Sequence, residues 1–272
     1  MNLRVILNDL ILTAPNPFFW ATSFLRENKA KLHAQEIRRI GYTSMGQFLN
    51  SGQVEALRKL MDQAISGEID SAKCKWNEDV KYHVILNPFQ IHPSILEIAL
   101  DPLVLDIATT YFGRQAYLAD VDMRRIQPAD AKAVRENSSS GWHRDFRGRQ
   151  IKIMIYLTDV SEQDSNFAVL PESHQGKHIR WGMEESRIPD EYVGSLPSKP
   201  LEWIGKAGEA MMFDTNTIHR LRRKLSAKTR DTITFYYTPG QSLRRLHASI
   251  DMELLQPKQK KACGSPIFSK RH

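Results

Sequence analysis

Three side chains, two of them close together and one far along the chain, limit what this sequence can fold into. His143 and Asp145 stand two positions apart in the stretch 141–145, and His219 lies 74 positions after Asp145. In a strand, residues i and i+2 point to the same face, so His143 and Asp145 can reach one metal ion together. Two imidazoles and one carboxylate leave open positions on the metal, which suits a non-haem Fe(II) that binds dioxygen. The fold must therefore bring His219 beside the first pair on a second strand.

The pair His-x-Asp is common by chance, and this chain has nine histidines. Taken alone, His143 and Asp145 would be interpreted as a local surface pair, and His219 as an unrelated histidine. Arg230 agrees with the metal interpretation because it stands 11 positions after His219, at the start of a strand-like run. A buried guanidinium donates two parallel hydrogen bonds to a carboxylate, so Arg230 is a candidate anchor for a dicarboxylic co-substrate such as 2-oxoglutarate. The alternative for Arg230 is a surface salt bridge.

Helical signals dominate the first part of the chain. Apolar residues recur at helical spacing over 53–66, and Gly67 follows as a C-terminal stop. Residues 94–97, Ser-Ile-Leu-Glu, fit a capping box. A second cap at Asp101 restarts the helix, which is predicted to end near residue 113.

Strand signals dominate from residue 115 onward. Short β-rich runs between loops predict strands at residues 117–127, 151–157, 166–170, 208–213 and 230–237. Short strands after a helical front predict a mainly β fold with flanking α-helices, whose core is a double-stranded β-helix, the jelly-roll architecture of cupins.

We expect a single domain over residues 1–272, because no Pro/Gly/Ser-rich linker interrupts the chain. Within it, a helix-rich part, 1–113, is predicted to pack on the barrel. The core jelly roll is predicted at 114–240, and 241–272 is predicted to be a C-terminal extension.

Four further segments of the chain carry predictions of their own. A strand is expected at 5–12 and a partly helical segment at 17–39. The polar stretch 129–140 is interpreted either as a loop that closes over the site or as ordinary surface chain. Residues 175–206 are predicted to form a loop and a short helix over the pocket. Three aromatic residues there are candidates for substrate contact or for packing: Trp181, Tyr192 and Trp203.

The net charge and the cysteine content indicate which kinds of partner and which compartment are compatible with this chain. The 38 basic and 31 acidic residues give a net charge of +7, which favours an anionic substrate or describes a basic soluble enzyme. A basic cluster follows His219 directly and is interpreted either as a solvated loop or as a rim that attracts an anionic group: Arg220, Arg222, Arg223 and Lys224. No nucleic-acid motif and no membrane-length apolar run occur. Cys74 and Cys263 lack metal-type spacing, which favours a reduced cytoplasmic protein.

Two blocks, 141–174 and 207–239, resemble the phytanoyl-CoA dioxygenase family of Fe(II)- and 2-oxoglutarate-dependent oxygenases. That family runs through Trp-His-x-Asp, a hydrophobic strand, Pro-Gly-Ser-His, a strand leading to a distal His, and an Arg 11 residues later. The same parts occur here in the same order within residues 78–239. Two departures stand out: Glu172 replaces the glycine, and Leu221 stands where several relatives have a Ser or Thr that helps to hold the co-substrate.

The resemblance implies a site and a reaction. His143, Asp145 and His219 would bind Fe(II), Arg230 would hold 2-oxoglutarate, and dioxygen would be the second co-substrate, with release of succinate and carbon dioxide. Related halogenases have Ala or Gly at the carboxylate position, so Asp145 indicates a hydroxylase and not a halogenase.

The resemblance also suggests pocket residues. Met123 and Arg125 fall at positions that face inward in the family, which makes Arg125 a candidate second contact to co-substrate or substrate. The alternative is a salt bridge to an acid such as Asp122 or Asp120. Met154, on the next strand, is a candidate pocket wall or plain core.

The predicted reaction is hydroxylation of an unactivated C–H of a small molecule, with a specialised metabolite as the favoured substrate. The alternatives are an acyl-CoA or sugar hydroxylase of the same class, or a metal-dependent cupin that is not an oxygenase.

Overall fold

The computed structural model of the protein describes residues 29–78, 81–86, 88–128, 141–145, 149–175, 188–225 and 228–239. The strand expected at 5–12, the start of the segment 17–39, the loop 129–140, Trp181 and the extension 241–272 lie outside these residues.

Five α-helices and one 3-10 turn lie within the described ranges. They are α1 (Lys29–Ile40), α2 (Ser51–Ser66), the turn Pro88–Gln90, α3 (Pro93–Ala99), α4 (Pro102–Phe112) and α5 (Asp190–Gly194).

The ends of α2 and α4 confirm two of the sequence predictions. Before α2, Asn50 Oδ1 accepts from the Gln53 amide at 2.9 Å, and Gln53 Oε1 accepts from the Asn50 amide at 3.0 Å. After it, Gly67 has φ 80°, a left-handed conformation that glycine adopts at little cost. At the start of α4, Asp101 Oδ1 accepts from two amides of the first turn, at 2.8 and 3.1 Å.

The capping box predicted at 94–97 is wrong. Helix α3 begins at Pro93, and its cap is His92, whose Nδ1 accepts from the Ser94 amide at 3.2 Å. Proline is favoured at the first helical position because its φ is already helical and it has no amide proton to leave unpaired. Ser94 therefore lies inside the first turn.

Ten strands form two sheets in the described part of the chain. They are β1 (Tyr42–Gln47), β2 (Lys73–Asn77), β3 (Tyr82–Leu86), β4 (Tyr117–Ile126), β5 (Ile151–Tyr156), β6 (Asn166–Val169), β7 (Leu201–Trp203), β8 (Glu209–Asp214), β9 (His219–Arg222) and β10 (Arg230–Thr238). The large sheet has the order β1-β8-β5-β10-β4-β3-β2, and the small sheet has the order β7-β6-β9. All the strand pairs are antiparallel.

Three strands lie in the part that was predicted to be helix-rich. Strands β1, β2 and β3 precede residue 113 and extend the two ends of the large sheet. Strand β2 is an edge strand with the sequence KCKWN, and most of its side chains are exposed. Edge strands of this kind lack the apolar alternation by which a strand is recognised in a sequence.

The two faces of the large sheet have different partners. One face packs under the helices in the main core, which includes Ile233 and Phe235 of β10. The other face meets the small sheet through a second apolar cluster, which includes Met154 and Phe213. This layered arrangement confirms the mainly β, jelly-roll fold with flanking helices, and it leaves the space between the sheets for a site. Among the described helices, none combines the length and the hydropathy that crossing a bilayer requires.

Candidate metal and co-substrate site

The segment 141–145 lies antiparallel to the start of β9. The His143 amide donates to the His219 carbonyl at 3.0 Å, and the His219 amide donates back to His143 at 3.0 Å. The Asp145 amide donates to the Thr215 carbonyl at 3.1 Å. The backbone therefore brings the distal histidine beside the first two candidate ligands.

The three side chains converge on one point. His143 Nε2 lies 3.3 Å from Asp145 Oδ1, and His219 Nε2 lies 3.2 Å from Asp145 Oδ2. One ligand atom from each residue lies within 4.8 Å of the others, close enough for a single metal ion to be shared.

Backbone carbonyls fix the orientation of both imidazoles. His143 Nδ1 lies 2.9 Å from the Gly141 carbonyl oxygen, and His219 Nδ1 lies 2.7 Å from that of Thr217. A carbonyl only accepts, so Nδ1 carries the proton in both rings and Nε2 keeps a lone pair. This is the arrangement by which metal-binding histidines are commonly held.

The surroundings of the cluster favour the protonation states in which Asp145 and His219 can bind a metal ion. Burial opposes ionisation of Asp145, but the neighbouring Lys152 ammonium outweighs it and holds the pKa of the carboxyl well below its usual range. Burial lowers the pKa of His219, which favours the neutral imidazole. A carboxylate and a neutral imidazole are the protonation states that bind metal ions.

A hydrogen-bonded turn holds His219 in place. Arg144, between the first two ligands, donates from Nε and Nη2 to the carbonyl and side-chain oxygens of Asn216, at 2.9 and 2.8 Å. The Asn216 amide donates to Asp214 Oδ1 at 2.7 Å, and the Tyr111 hydroxyl donates to the other carboxylate oxygen. The ligand segment and the turn before His219 are thus connected through buried polar groups.

The segment Pro171 to His174 has a structural role. The hydroxyl of Ser173 donates to the Leu170 carbonyl at 2.7 Å and accepts from the Ile218 amide at 2.7 Å. Ile218 directly precedes the distal ligand, so this serine fixes the approach of the chain to His219.

Arg230 is buried at the start of β10, with part of its hydrogen-bonding capacity unused. Its exposed fraction is 6 %, and neither Nε nor Nη1 has a hydrogen-bond partner in the described part of the chain. Its neighbour is the neutral Tyr156 hydroxyl, and burial lowers the pKa of its guanidinium. A buried cation without a paired acid is costly unless an anion completes the site.

Two aromatic side chains pack against the distal candidate ligand. Phe167 and Phe213 lie with their ring centroids 5.5 and 5.3 Å from that of His219. Met154 belongs to the same apolar cluster between the sheets, so it lies on the side of the sheet where the candidate metal ligands lie. Its contact with a co-substrate stays a prediction.

The prediction that Met123 and Arg125 face the site is wrong. Met123 is buried in the main core beneath the helices. Arg125 donates from Nε and Nη2 to the two oxygens of Asp231 at 2.8 and 2.7 Å, and from Nη1 to Asp62 of α2 at 2.6 Å. The strand register places both residues on the helix side, because a shift of one position moves a side chain to the opposite face.

Arg124 occupies the face that was expected for Arg125, and its charge is already paired. Its Nη2 lies 2.8 Å from Asp122 Oδ2, and the Tyr236 hydroxyl donates to the same carboxylate at 2.5 Å.

Most of the basic cluster after His219 is also paired. Arg220 contacts Asp190 at 2.8 Å, Arg222 contacts Glu202, and Lys224 contacts Glu202 at 2.7 Å. The interpretation of a solvated surface fits Arg222, whose side chain is partly exposed, whereas the side chains of Arg220 and Lys224 are mostly buried.

The short helix predicted within 175–206 is α5, and the aromatic residues near it are packing anchors. Trp203 stacks on Tyr156 with ring centroids 4.0 Å apart. Tyr192 packs against the apolar cluster that contains Trp142.

Two features of the site were not predicted from the sequence. Arg223 is buried apart from its basic neighbours, and Lys152 contacts Asp145. Arg223 is buried and turns inward, unlike its basic neighbours. The signal was present, because His219 and Arg223 are four positions apart in an alternating strand and so share a face. Lys152 comes from the neighbouring strand, and strand pairing was not predicted.

The residues present fit the two groups that the sequence implies. The cluster offers two Nε2 lone pairs and a carboxylate, an N/O donor set suited to Fe(II). The unpartnered donors of Arg230 fit the far carboxylate of 2-oxoglutarate.

Known proteins share this fold at low sequence identity. The carbocyclase SnoK from nogalamycin biosynthesis is 19 % identical, with 79 % of this chain and 88 % of that chain covered and a TM-score of 0.62. EctD from S. alaskensis, in its apoform, is 17 % identical, with 84 % and 81 % covered and a TM-score of 0.61. HygX from Streptomyces hygroscopicus, solved with nickel and 2-oxoglutarate bound, is 16 % identical, with 79 % and 88 % covered and a TM-score of 0.59. No curated protein matches the sequence.

The family profile described as "Phytanoyl-CoA dioxygenase (PhyH)" matches residues 37–232, which is more than half of the chain and includes all three candidate metal ligands and Arg230. The chain belongs to the phytanoyl-CoA dioxygenase family of Fe(II)- and 2-oxoglutarate-dependent oxygenases.

Proposed function

We propose that the protein is an Fe(II)- and 2-oxoglutarate-dependent dioxygenase that hydroxylates an unactivated C–H of a small molecule. The observation that carries this proposal is the pairing of an open three-ligand cluster with a buried arginine that lacks an acid partner. The first group fits a metal with free positions, and the second fits the far carboxylate of the co-substrate.

The residues of this chain would divide the work. His143, Asp145 and His219 would hold Fe(II), and Arg230 would fix the direction in which 2-oxoglutarate lies. With both groups bound, the iron supplies the activation of dioxygen, and 2-oxoglutarate supplies two of the electrons as it becomes succinate and carbon dioxide. Phe167 and Phe213 would exclude water from the space beside the iron.

Asp145 supports hydroxylation over halogenation. Its carboxylate lies between both imidazoles and would occupy the position that halide binding needs. The preference for a small specialised metabolite rests on the departures from the family pattern at Glu172 and Leu221.

We further propose that the substrate carries an anionic group and that the protein works in a reduced, cytoplasmic compartment. The charge of Lys152 is paired with Asp145, so the expectation of an anionic substrate group rests on the net charge of +7. Cys74 is a free, half-buried thiol, which supports a reduced, cytoplasmic environment.

The test needs no knowledge of the substrate. Fe(II) and 2-oxoglutarate are added to the protein without oxygen, and the visible metal-to-ligand charge-transfer band is recorded. The parent is expected to show the band, His143→Ala to lose it, and Arg230→Ala to require much more 2-oxoglutarate to reach it.

His92→Ala is the matched control, because His92 caps α3 and is absent from the metal cluster. It is expected to keep the band. A folded parent without the band, or a His143→Ala variant that retains it, would contradict the proposed function.

A further inference from the structure

Alternation along β9 separates the residues after His219 into two sets. Arg220 and Arg222 point outward and pair with Asp190 and Glu202. His219 contacts the inner aromatic rings and so points between the sheets. Arg223, four positions on, has the same phase as His219 and is buried.

Arg223 is a buried cation with two unused donors on one edge. Its exposed fraction is 5 %, and its Nη1 donates to the Gln127 carbonyl at 3.2 Å. Nε and Nη2 are buried and have no hydrogen-bond partner among the residues that the structure describes. These two nitrogens share one edge of the guanidinium, and that edge makes two parallel hydrogen bonds to a carboxylate.

The second buried guanidinium lies close to the first. Arg230 also has two buried nitrogens without partners, and its charge adds to the effect of burial in lowering the pKa of Arg223. Among the described residues, no carboxylate forms an ion pair with either arginine. Two neighbouring buried cations repel each other, and an anion bound between them would remove that repulsion.

We propose that Arg223 and Arg230 together bind the far carboxylate of 2-oxoglutarate, with Arg223 contributing its Nε–Nη2 edge. The inference rests on the proposed function and adds a second guanidinium to its co-substrate site. It also accounts for Leu221, which has no donor and lies two positions before Arg223, near the end of β9. Arg223 supplies the hydrogen bonds that a hydroxyl at position 221 would otherwise offer.

Deep burial favours the co-substrate over the substrate as the partner of Arg223. The side chain lies beside Arg230, whereas Lys152 lies at the cluster of candidate metal ligands. An anion that met Arg223 would therefore meet Arg230 as well.

The test compares two 2-oxo acids that differ only in the far carboxylate. Fe(II)-loaded protein is titrated without oxygen with 2-oxoglutarate and with 2-oxopentanoate, and the charge-transfer band reports both dissociation constants. Arg223→Gln is expected to weaken 2-oxoglutarate binding by about 10- to 100-fold, because a hydrogen bond to a charged group is lost. Binding of 2-oxopentanoate is expected to stay within about 3-fold of the parent, since that acid has no group for Arg223 to contact.

Two further variants sharpen the result. Arg223→Lys keeps the charge but loses the two-donor edge, so it is expected to fall between the parent and Arg223→Gln. Arg222→Gln is the surface control, since Arg222 is partly exposed and pairs with Glu202, and both of its constants should match the parent.

Melting temperatures separate a binding role from a structural one. Without 2-oxoglutarate, Arg223→Gln should melt no lower than the parent, because it removes a buried cation without a paired acid. The rise in melting temperature on adding 2-oxoglutarate should shrink in this variant.

An unchanged 2-oxoglutarate constant in Arg223→Gln, or an equal loss for both acids, would overturn the proposal. An unchanged constant would assign Arg223 to another anion, such as a substrate group. A parent without the band would instead contradict the proposed function, and this inference with it.

Discussion

Glu172 has a left-handed backbone conformation, which raises the free energy of any residue that has a Cβ. Its φ is 65°, in the left-handed region, where the Cβ crowds the carbonyl that follows. Glycine, which the family has at this position, removes that crowding. The backbone is held there because the Glu172 amide donates to the Ile40 carbonyl at 2.8 Å.

We therefore expect Glu172→Gly to stabilise the protein by about 1 kcal/mol, the cost of a left-handed residue reduced by the greater freedom of an unfolded glycine. Urea unfolding of both proteins measures the difference. Glu55→Gly, in the middle of α2, is the control and should destabilise by about 1 kcal/mol. A clear loss of stability in Glu172→Gly would contradict the argument.

The candidate metal ligands could be predicted from residue types and their order in the sequence. The side of the sheet on which each pocket residue lies could not. Few side chains bind Fe(II), so the type and order of His143, Asp145 and His219 carried the prediction. The assignment of Arg125 depended on counting along β4, and one position of error exchanges it with Arg124. The register of β4 against β10 also shifts near its far end, which a count along one strand cannot detect.

The end of β6 and the residue before His219 are joined by a backbone hydrogen bond, from the Leu170 amide to the Ile218 carbonyl at 2.8 Å, and by one serine side chain. Ser173 connects the end of β6 to the residue before His219, through two 2.7 Å bonds of one hydroxyl. Without it, the buried amide of Ile218 would have no partner.

Ser173→Ala is expected to lower the free energy of unfolding by about 2 kcal/mol, since a buried donor loses its acceptor. Chemical denaturation gives the value, and anaerobic Fe(II) titration should show weaker metal binding. Ser195→Ala, an exposed serine whose hydroxyl donates to the Tyr192 carbonyl, should change stability by less than about 0.5 kcal/mol. Equal effects in the two variants would argue against a special role for Ser173.

At the element scale, local patterns predicted what local forces determine. Helices α2 and α4 follow from caps and spacing within their own sequence. Strands β1 and β3 owe their place to partners far along the chain, because β1 pairs with β8 and β3 pairs with β4. A six-residue segment such as YTSMGQ has no strong strand pattern of its own, and tertiary pairing decides its structure.

Across the whole molecule, a charged network joins the helical layer to the large sheet. Arg125 of β4 binds Asp231 of β10 and Asp62 of α2, and Asp231 is fully buried. Asp231 lies next to Arg230 in sequence but on the opposite face, so the network lies behind the co-substrate site and not in it.

Arg125→Met is expected to destabilise the protein by about 3 to 5 kcal/mol, because it leaves the Asp231 carboxylate buried with only a longer contact, 3.6 Å, to Arg58. Affinity for 2-oxoglutarate in the folded variant should stay within about 3-fold of the parent. Denaturant unfolding and the anaerobic titration measure the two quantities. A large loss of 2-oxoglutarate affinity at unchanged stability would instead indicate that Arg125 contacts the co-substrate.

Histidines in different layers make the stability of the whole protein depend on pH. Burial lowers the pKa of His33 on α1, of His83 on β3 and of His219 at the candidate metal site. In each case the folded pKa lies below the unfolded value of about 6.5, so the unfolded chain binds more protons as pH falls through that value. The stability these groups contribute is therefore complete above about pH 6.5 and is lost as pH decreases.

We expect metal-free protein to unfold at lower urea concentration at pH 5.5 than at pH 7.5, with most of the change below pH 6.5. Metal-free protein is required because a bound ion would hold His219 unprotonated. His33→Gln should make the urea midpoint depend less on pH, because glutamine does not titrate. The His33 ring is partly buried, with Nδ1 2.8 Å from Thr43 Oγ1, and burial there opposes protonation. A urea midpoint that is flat or rises toward pH 5.5 would show that the buried histidines do not control this range.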